Sequence, residues 1–277
     1  MKFFLIGSGR CGSTLLCRML NDSANLFVFN ETQWTPILLR RHGSTPVNAE
    51  LLIEEAMRVR HAFGDPTFDF TQLRGIETLF GQRLSVVKFV DRVSALAAAS
   101  EGKTFYADKT PDYCGHVLQL AEYWPEAKFV HLIRNGLDTA LSMSRHPGYQ
   151  LLHLRRALYW TQIAVDCDNF RNRLQPVSAS ACLEMWRKRT TRARIDGQQL
   201  GADRYLELRF EELVSQSQET LSQLRAFVGK DLLEDNWPKR AAEQANTTVL
   251  NRKRDYSDIS ITPASQALME ELGYDLP

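Results

Sequence analysis

Short apolar runs alternate with longer amphipathic segments along this chain. Five runs predict strands, at residues 3–6, 26–29, 104–107, 128–133 and 204–210, because they are short, apolar and rich in β-branched or aromatic residues. Apolar strands that alternate with helices are typical of a parallel sheet covered on both faces. The pattern therefore predicts an α/β fold in which helices flank a parallel sheet.

The segments between these strands carry helical periodicity. Helices are predicted at residues 13–20, 51–63 and 111–123, and again directly after residue 133. A further helical pattern covers about residues 150–200. It predicts a helical elaboration on the sheet.

This elaboration is expected to pack through Trp160 and Trp186. The sequence has no internal repeat, low-complexity tract or clear linker, and residues 43–46 read as a loop rather than a domain boundary. A chain of 277 residues suits one large α/β domain. We therefore expect a single domain that spans residues 1–277.

Composition indicates which binding partners and which cellular location the protein has. The net charge is +1, so no global electrostatic field points to nucleic acid. The apolar run at the N-terminus is shorter than the core of a signal peptide, and no stretch approaches the ~20 apolar residues of a membrane span. The five cysteines form no CxxC pair, which fits reduced thiols. We expect a cytoplasmic protein without a metal site, nucleic-acid partner or membrane partner.

The first predicted strand leads directly into a glycine-rich loop, GSGRCGST, and then a helix. Glycines let backbone N–H groups converge on one anion, and the helix N-terminus adds partial positive charge. Gly7 and Gly12 have P-loop spacing, but Ser13 stands where that motif has lysine. Because this lysine reaches the outer phosphates of a triphosphate, its absence disfavours ATP chemistry. Arg10 supplies a cation that suits a shorter, diphosphate-like group; the alternative is a turn without a ligand.

A second candidate anion site follows the strand at residues 128–133. Arg134 lies at the end of this strand, and Ser142 follows about two helical turns later. Ligands of open parallel sheets bind at the carboxyl ends of strands, so Arg134 is expected beside the first loop. The planar guanidinium group of an arginine can donate two hydrogen bonds to phosphate oxygens. The alternative is that Asn135 caps the next helix and Arg134 is a solvated strand-end residue.

Both motifs resemble those of bacterial-type sulfotransferases that use 3′-phosphoadenosine 5′-phosphosulfate (PAPS), relatives of the tyrosylprotein and carbohydrate sulfotransferases. The segment FLIGSGRCGSTLL is similar to their 5′-phosphosulfate loop, and the spacing from Arg134 to Ser142 is similar to their 3′-phosphate site. The resemblance implies a P-loop-type fold with PAPS as co-substrate. It implies cofactor binding by residues of both motifs: Arg10, Cys11, Gly12, Ser13, Thr14, Arg134 and Ser142. Cys11 departs from the usual serine, and its thiol hydrogen-bonds only weakly.

Glu31 is the candidate general base. It follows the second predicted strand, where a carboxylate can accept a proton from an acceptor hydroxyl. The resemblance implies the same role, because tyrosylprotein and several bacterial sulfotransferases carry their base in a similar segment. Alternatively, Asn30 and Gln33 form a capping box, in which Glu31 complements the helix dipole.

Lys109 is a second catalytic candidate, at the end of another strand in the segment ADKTP. Thr110 can serve as the N-cap of the next helix and Pro111 as its first residue, but helix formation gives no reason for a lysine at position 109. The resemblance implies that Lys109 and Arg10 stabilise charge on the transferred group and on the departing phosphate. The alternative is a plain surface lysine.

Two later segments match the family less closely. Phe210 stands where the family commonly has tyrosine, so a hydroxyl contact to the cofactor is lost. A basic cluster resembles the segment that covers the cofactor, which implies that Arg252 and Lys253 contact PAPS; the alternative is a solvated charge run. Histidine is the base in other sulfotransferases, but none of the six histidines follows a strand in a recognisable setting. His131 is expected to be structural.

These patterns predict an enzyme that moves a sulfuryl group from PAPS to a hydroxyl acceptor by in-line displacement, with Glu31 as base and adenosine 3′,5′-bisphosphate as product. The sequence does not say whether the acceptor is a small molecule, a carbohydrate or a peptide. Two alternatives stay open. A P-loop nucleotide-dependent kinase would need a triphosphate-reaching cation and a metal site. A non-catalytic protein that binds adenosine bisphosphate would need both anion motifs but neither Glu31 nor Lys109.

Overall fold

The computed structural model describes residues 1–61, 64–165, 174–247, 250 and 254–276. Its strands, in chain order, are β1 (Phe3–Gly7), β2 (Leu26–Asn30), β3 (Val47–Asn48), β4 (Arg83–Leu84), β5 (Phe105–Lys109), β6 (Lys128–Ile133) and β7 (Tyr205–Arg209). Five of them form one parallel sheet in the order β2-β5-β1-β6-β7. The β3 and β4 strands pair antiparallel in a separate small sheet. All carboxyl ends of the main sheet therefore share one edge.

Twelve α-helices connect and flank the strands in the described part of the chain. They are α1 (Ser13–Asn21), α2 (Trp34–His42), α3 (Ala49–Met57), α4 (Val86–Ser100), α5 (Val117–Tyr123), α6 (Gly136–Ser144), α7 (Pro147–Leu154), α8 (Ala179–Leu200), α9 (Phe210–Ser215), α10 (Ser217–Val228), α11 (Trp237–Ala242) and α12 (Pro263–Glu271). None of these helices is both long and apolar enough to cross a membrane. The parallel sheet flanked by helices confirms the predicted fold class.

Alternation along β1 divides the core between the two faces of the sheet. Phe4 and Ile6 join one apolar cluster, which contains residues of α2, α4 and α5. Phe3 and Leu5 join another, which contains residues of α1, α10 and α11. All four side chains are fully buried, and burying each one contributes about 1.5–3 kcal/mol to folding. This two-sided burial explains why β1 is apolar at every position.

Some predicted helices differ from the observed ones. The helix predicted at 51–63 is α3, which begins two residues earlier and ends at Met57, and Val59 then forms a bridge with Val165. The helix predicted at 111–123 divides into a 3₁₀ turn (Pro111–Gly115) and α5. Tertiary packing explains the break, because the ring of Tyr159 packs closely against Gly115.

The helical elaboration is smaller than predicted. It consists of α7 and α8; the described residues between them form one short 3₁₀ turn, Trp160–Gln162, but no α-helix. Trp160 and Trp186 are buried as expected. The sequence-based prediction also lacked several helices, among them α2, α4, α10 and α11. Residues 43–46 form the loop that was predicted there.

Candidate active site

The glycine-rich loop after β1 curls tightly at the carboxyl edge of the sheet. Gly9, Arg10 and Gly12 all have positive φ, at 81°, 53° and 92°. Left-handed backbone is accessible to glycine but costs a non-glycine residue about 1–2 kcal/mol, so Arg10 is strained. The helix α1 begins at Ser13, and its N-cap residue, Gly12, has no side chain that could cap it. Its first N–H groups are therefore oriented to receive an anion.

Two aromatic rings pack directly on this loop. A Cβ atom at Gly9 would lie 1.7 Å from the hydroxyl oxygen of Tyr149, and one at Gly12 would lie 2.2 Å from Cδ2 of Phe210. Both positions therefore require glycine. Phe210 also stacks on the Arg134 guanidinium, whose central carbon is 4.6 Å from the ring centre. Phe210 thus connects the two motifs by packing on both Gly12 and Arg134.

The structure brings the two anion motifs together. Nε of Arg10 donates a hydrogen bond to Oγ of Ser142 at 3.0 Å, and Nη1 of Arg134 donates to the carbonyl of Arg10 at 3.4 Å. Asn135 caps α6, as the alternative interpretation proposed, because its side-chain oxygen accepts from the backbone N–H groups of Leu137 and Asp138. Capping and anion binding are compatible here, since Arg134 is oriented towards the loop and is not a solvated residue.

Arg134 is held in a partly buried, polar environment. It forms an ion pair with Asp138 at 3.1 Å, and Arg254 forms an ion pair with the same carboxylate. Burial lowers the pKa of Arg134. Its Nε atom is buried and has no hydrogen-bond partner among the described residues. An unpaired guanidinium N–H beside the loop fits an anionic ligand, which would supply the missing acceptor.

Glu31 and Lys109 form an ion pair across neighbouring strands. Nζ of Lys109 lies 2.8 Å from Oε1 of Glu31, and the Glu31 N–H donates to the Lys109 carbonyl at 2.7 Å. The Lys109 side chain is fully buried, so the surface-lysine alternative is wrong. The capping-box alternative is also wrong: α2 begins at Trp34, and no side chain caps it.

A buried hydrogen-bond network supports this pair from beneath. Asp108 accepts hydrogen bonds from the hydroxyls of Thr32 at 2.7 Å and Thr110 at 2.6 Å. The hydroxyl of Tyr113 lies 2.7 Å from that of Thr32. Burial raises the pKa of Asp108 to about 6, although both threonine hydrogen bonds oppose this shift. The network fixes the segment that carries Glu31.

A cavity of about 400 Å³ joins these groups, a size that suits a small-molecule site. It is lined by Gly9, Arg10, Gly12, Ser13, Thr14, Glu31, Gln33, His61, Pro111, Asp112, Arg134, Ser142, His146, Gly148, Tyr149, Leu152 and Trp160. Two predicted site residues, Cys11 and Lys109, lie beneath this wall. Within the described ranges, no group of three or more His, Cys, Asp or Glu side chains could hold a metal ion.

The remaining predicted residues fall into three cases. Cys11 is fully buried and burial raises its pKa, which fits a small space-filling side chain. Arg252 and Lys253 lie outside the described residues. His131 is structural, as expected: it is fully buried and its Nδ1 lies 2.6 Å from the hydroxyl of Tyr205.

Sequence reasoning missed several residues of the cavity wall. Among them are His61 and His146, which line the cavity although neither follows a strand. Nδ1 of His146 accepts from the Gly148 N–H at 3.1 Å and caps α7. Burial, followed by the charge of Arg10, lowers the pKa of His146. The only sequence signal was the His-Pro pair that precedes a helix.

Arg189 was also missed. This fully buried side chain of α8 donates to the Ser8 carbonyl at 2.9 Å and forms an ion pair with Asp112 at 2.9 Å. Its guanidinium carbon lies 5.5 Å from the ring centre of Tyr149 and 5.4 Å from that of Tyr159. Arg189 thus ties the helical elaboration to the start of the anion loop.

The fold and the cavity combine a parallel sheet with a P-loop-like strand–loop–helix whose Arg10 lies beside Arg134 of the next motif. Comparison with known families identifies the class: the model of the sulfotransferase family matches residues 2–235. The chain belongs to this family, whose members transfer sulfuryl groups. A comparison with curated protein sequences gave no match.

Solved structures support the same fold. The sulfotransferase domain of the curacin biosynthetic pathway is 20% identical, with a TM-score of 0.60 over 99% of this chain and 98% of that domain. The sulfotransferase domain of the Synechococcus PCC 7002 olefin synthase is 22% identical, with a TM-score of 0.58 over 99% and 94%. A sulfotransferase from Mycobacterium avium is 13% identical, with a TM-score of 0.52 over 99% and 77%. At these identities, the likeness establishes the fold.

Proposed function

We propose that this protein transfers a sulfuryl group from PAPS to a hydroxyl acceptor, with Glu31 as general base, and releases adenosine 3′,5′-bisphosphate. One observation carries the proposal: Arg10 and Arg134, from separate anion motifs, line the same cavity as Glu31. Cations and a carboxylate in one cavity suit an anionic donor and a hydroxyl that must lose its proton.

The residues present fit PAPS. The loop supplies backbone N–H groups, the hydroxyls of Ser13 and Thr14, and the Arg10 guanidinium for the 5′-phosphosulfate. Cys11 would contribute its backbone only. Arg134, with its unpaired Nε, and Ser142 would hold the 3′-phosphate. Contacts from Arg252 and Lys253 remain part of the proposal.

PAPS supplies an activated sulfuryl group with a phosphate as leaving group. In the proposed reaction, the acceptor oxygen forms a bond to sulfur while the bond from sulfur to the bridging phosphate oxygen breaks. The acceptor proton goes to Glu31. Arg10 stabilises the oxygens of the transferred group, and Lys109 holds Glu31 in place through their ion pair and adds positive charge beneath the site. The transition state is loose, so positioning and charge carry the catalysis.

The remaining features of the proposal concern the whole chain. We place the reaction in one domain that spans residues 1–277 and in the cytoplasm. The four described cysteines are all unpaired and buried, which supports a reducing compartment. The acceptor is a hydroxyl-bearing molecule, and neither nucleic acid nor a membrane is proposed as a partner.

Calorimetry tests the cofactor. Purified protein is titrated with adenosine 3′,5′-bisphosphate and, separately, with ATP and Mg²⁺; both titrations are repeated with Arg134→Ala. Truncating a buried charge partner costs about 2 kcal/mol or more, so the variant should bind the bisphosphate at least ~30-fold more weakly. Arg145→Ala is the matched control, because Arg145 caps the C-terminus of α6, the helix that follows Arg134, but is exposed and does not line the cavity.

Each result has a distinct meaning. Binding of the bisphosphate alone, lost in Arg134→Ala but kept in Arg145→Ala, supports the proposal, and transfer of labelled sulfate from PAPS to an acceptor then tests catalysis. Preference for ATP and Mg²⁺ would favour a kinase and contradict the proposal. Bisphosphate binding without any transfer across a broad panel of alcohols would favour a non-catalytic binding protein.

A further inference from the structure

Gln33 lies in the cavity wall, and the proposed chemistry does not use it. Only 4% of this residue is exposed, yet its amide oxygen Oε1 accepts no hydrogen bond from any described residue. Nearly all buried polar atoms in native proteins are hydrogen-bonded, so each exception calls for an explanation. A ligand that donates a hydrogen bond within the cavity would supply the missing partner.

The backbone places Gln33 beside Glu31. Both residues have positive φ, at 59° and 64°, whereas Thr32 between them hydrogen-bonds the buried Asp108 beneath the sheet edge. Glu31 and Gln33 therefore line the same cavity. Residues separated by one position have Cα atoms no more than about 7 Å apart. A molecule whose hydroxyl meets Glu31 thus brings its adjacent atoms within reach of Gln33. Non-glycine residues in left-handed backbone are strained, and such strain is concentrated at functional sites.

The surrounding wall limits the chemistry of that molecule. Pro111, Tyr149, Leu152 and Trp160 present apolar or aromatic surface. The only arginine or lysine side chains among the described lining residues belong to the two anion motifs, which the donor would occupy. Because an apolar wall makes burial of a charged group costly, an uncharged polar partner for the amide is favoured.

We propose that Gln33 is the acceptor-recognition residue of this enzyme and that the acceptor is an uncharged diol or polyol. One hydroxyl loses its proton to Glu31, and the adjacent hydroxyl donates a hydrogen bond to Oε1 of Gln33. This inference rests on the proposed sulfuryl transfer and names the substrate class for it. A monohydric alcohol would leave the buried amide unpaired, which is the strongest basis on which a site rejects an analogue.

Two matched probes test this inference. The rate of sulfate transfer from labelled PAPS is measured with cis-cyclohexane-1,2-diol and with cyclohexanol, which share a ring but differ by one hydroxyl. The wild-type protein should prefer the diol by ~10-fold or more in kcat/KM, the value expected for one added hydrogen bond to a buried group. Gln33→Met keeps the side-chain length without hydrogen bonding and should reduce this ratio to about one. Gln199→Met, at an exposed position of α8, should keep it.

Binding of adenosine 3′,5′-bisphosphate is measured in parallel for all three proteins. Equal use of both probes by the wild-type protein, no transfer to either probe, or an unchanged ratio in Gln33→Met overturns the inference, while bisphosphate binding leaves the proposed function standing. Failure of the wild-type protein to bind the bisphosphate contradicts the proposed function itself. If Gln33→Met does not fold, the wild-type ratio alone decides the question.

Discussion

Nζ of Lys109 lies 2.8 Å from Oε1 of Glu31, although the two residues are on separate segments that meet only through sheet pairing. Lys109 ends β5 and its partner in the strand register is Asn30, the residue directly before Glu31. The lysine is fully buried, whereas 35% of the Glu31 side chain is exposed. Because a buried ammonium requires a partner, the register of two strands fixes the position of the proposed base.

The first prediction separates the catalytic role of Glu31 from its structural role. Glu31→Gln keeps an oxygen that can accept from Lys109 but cannot take up a proton. We expect sulfate transfer from labelled PAPS to fall by about 10²–10⁴-fold, the usual contribution of general-base catalysis. Calorimetry should show that adenosine 3′,5′-bisphosphate still binds, since Glu31 is not proposed to contact it.

Glu31→Ala is the matched structural control. This change leaves Lys109 buried without a counter-ion, so the free energy of unfolding should fall further than in Glu31→Gln. Urea unfolding of both variants measures the difference. Equal stability of the two would show that the ion pair does not hold the fold, and wild-type turnover in Glu31→Gln would rule out Glu31 as the base.

The second prediction concerns the dependence of stability on pH. Two buried groups, Asp108 and His131, contribute to it in opposite directions. Burial raises the pKa of Asp108 to about 6, above its ordinary value of 3.8, so its contribution to stability is full below about pH 4 and is lost as the pH rises through 6. Burial lowers the pKa of His131 to about 3 from 6.5. The histidine contribution is full above pH 6.5 and is lost as the pH falls towards 3. Between pH 4 and 6, the free energy of unfolding therefore decreases with pH because of Asp108 and increases with pH because of His131.

Single variants should separate the contributions of Asp108 and His131 to the pH dependence of the free energy of unfolding. In Asp108→Asn, the free energy of unfolding should rise more steeply from pH 4 to pH 6 than in the wild-type protein, because His131 acts without opposition. In His131→Asn, it should rise less steeply, or fall. The Asp108 contribution is about 3 kcal/mol across this range, since one pKa unit corresponds to about 1.4 kcal/mol. Urea titrations at three pH values suffice; slopes that match the wild type in both variants would contradict the assignment.

Local sequence patterns predicted the sheet but not every helix. The predicted limits of β1 and β2 fall one residue short of the observed ends, and β6 is predicted in full, because these strands are short apolar runs with polar or glycine boundaries. The helix α4 has a serine N-cap, Ser85, but its run of Val, Phe and Ala suits a strand or a buried helix equally well. Only packing against the sheet decides between them.

The candidate site divides in the same way. The half that contains the two candidate anion motifs was predictable, because each motif is continuous in sequence and follows a strand directly. The other half of the cavity was not predictable, because Gln33, His61 and His146 lie on three separated segments that only the tertiary fold brings together. The partner of Lys109 was missed for the same reason, since strand order is not encoded locally.

The third prediction concerns Arg189, which ties α8 to the anion loop. Arg189→Gln leaves Asp112 buried without its counter-ion and weakens the link to the Ser8 carbonyl. Breaking a buried ion pair costs about 3–5 kcal/mol, so the midpoint of urea unfolding should fall markedly. Affinity for adenosine 3′,5′-bisphosphate should fall too, because Ser8 directly precedes the strained part of the loop.

A double variant distinguishes the ion pair from general packing at this position. Removing both charges, as in Arg189→Gln with Asp112→Asn, should cost less than the sum of the two single changes. Strict additivity would indicate that the two groups are not coupled. Wild-type stability of Arg189→Gln would contradict the proposed structural role altogether.

The fourth prediction uses two glycines with similar backbone and different surroundings. Gly12 and Gly201 both have positive φ, at 92° and 78°, so alanine at either position costs about 1–2 kcal/mol of backbone strain. Apart from its chain neighbours, no atom of the described residues lies within 4 Å of a Cβ at Gly201, whereas a Cβ at Gly12 would lie 2.2 Å from the Phe210 ring. Because that ring stacks on Arg134, the clash reaches the proposed 3′-phosphate site.

Gly12→Ala should therefore weaken binding of adenosine 3′,5′-bisphosphate by ~10-fold or more, a loss of about 1.4 kcal/mol. Gly201→Ala should lower only the stability, and equal bisphosphate affinity in the two variants would show that Phe210 does not position Arg134.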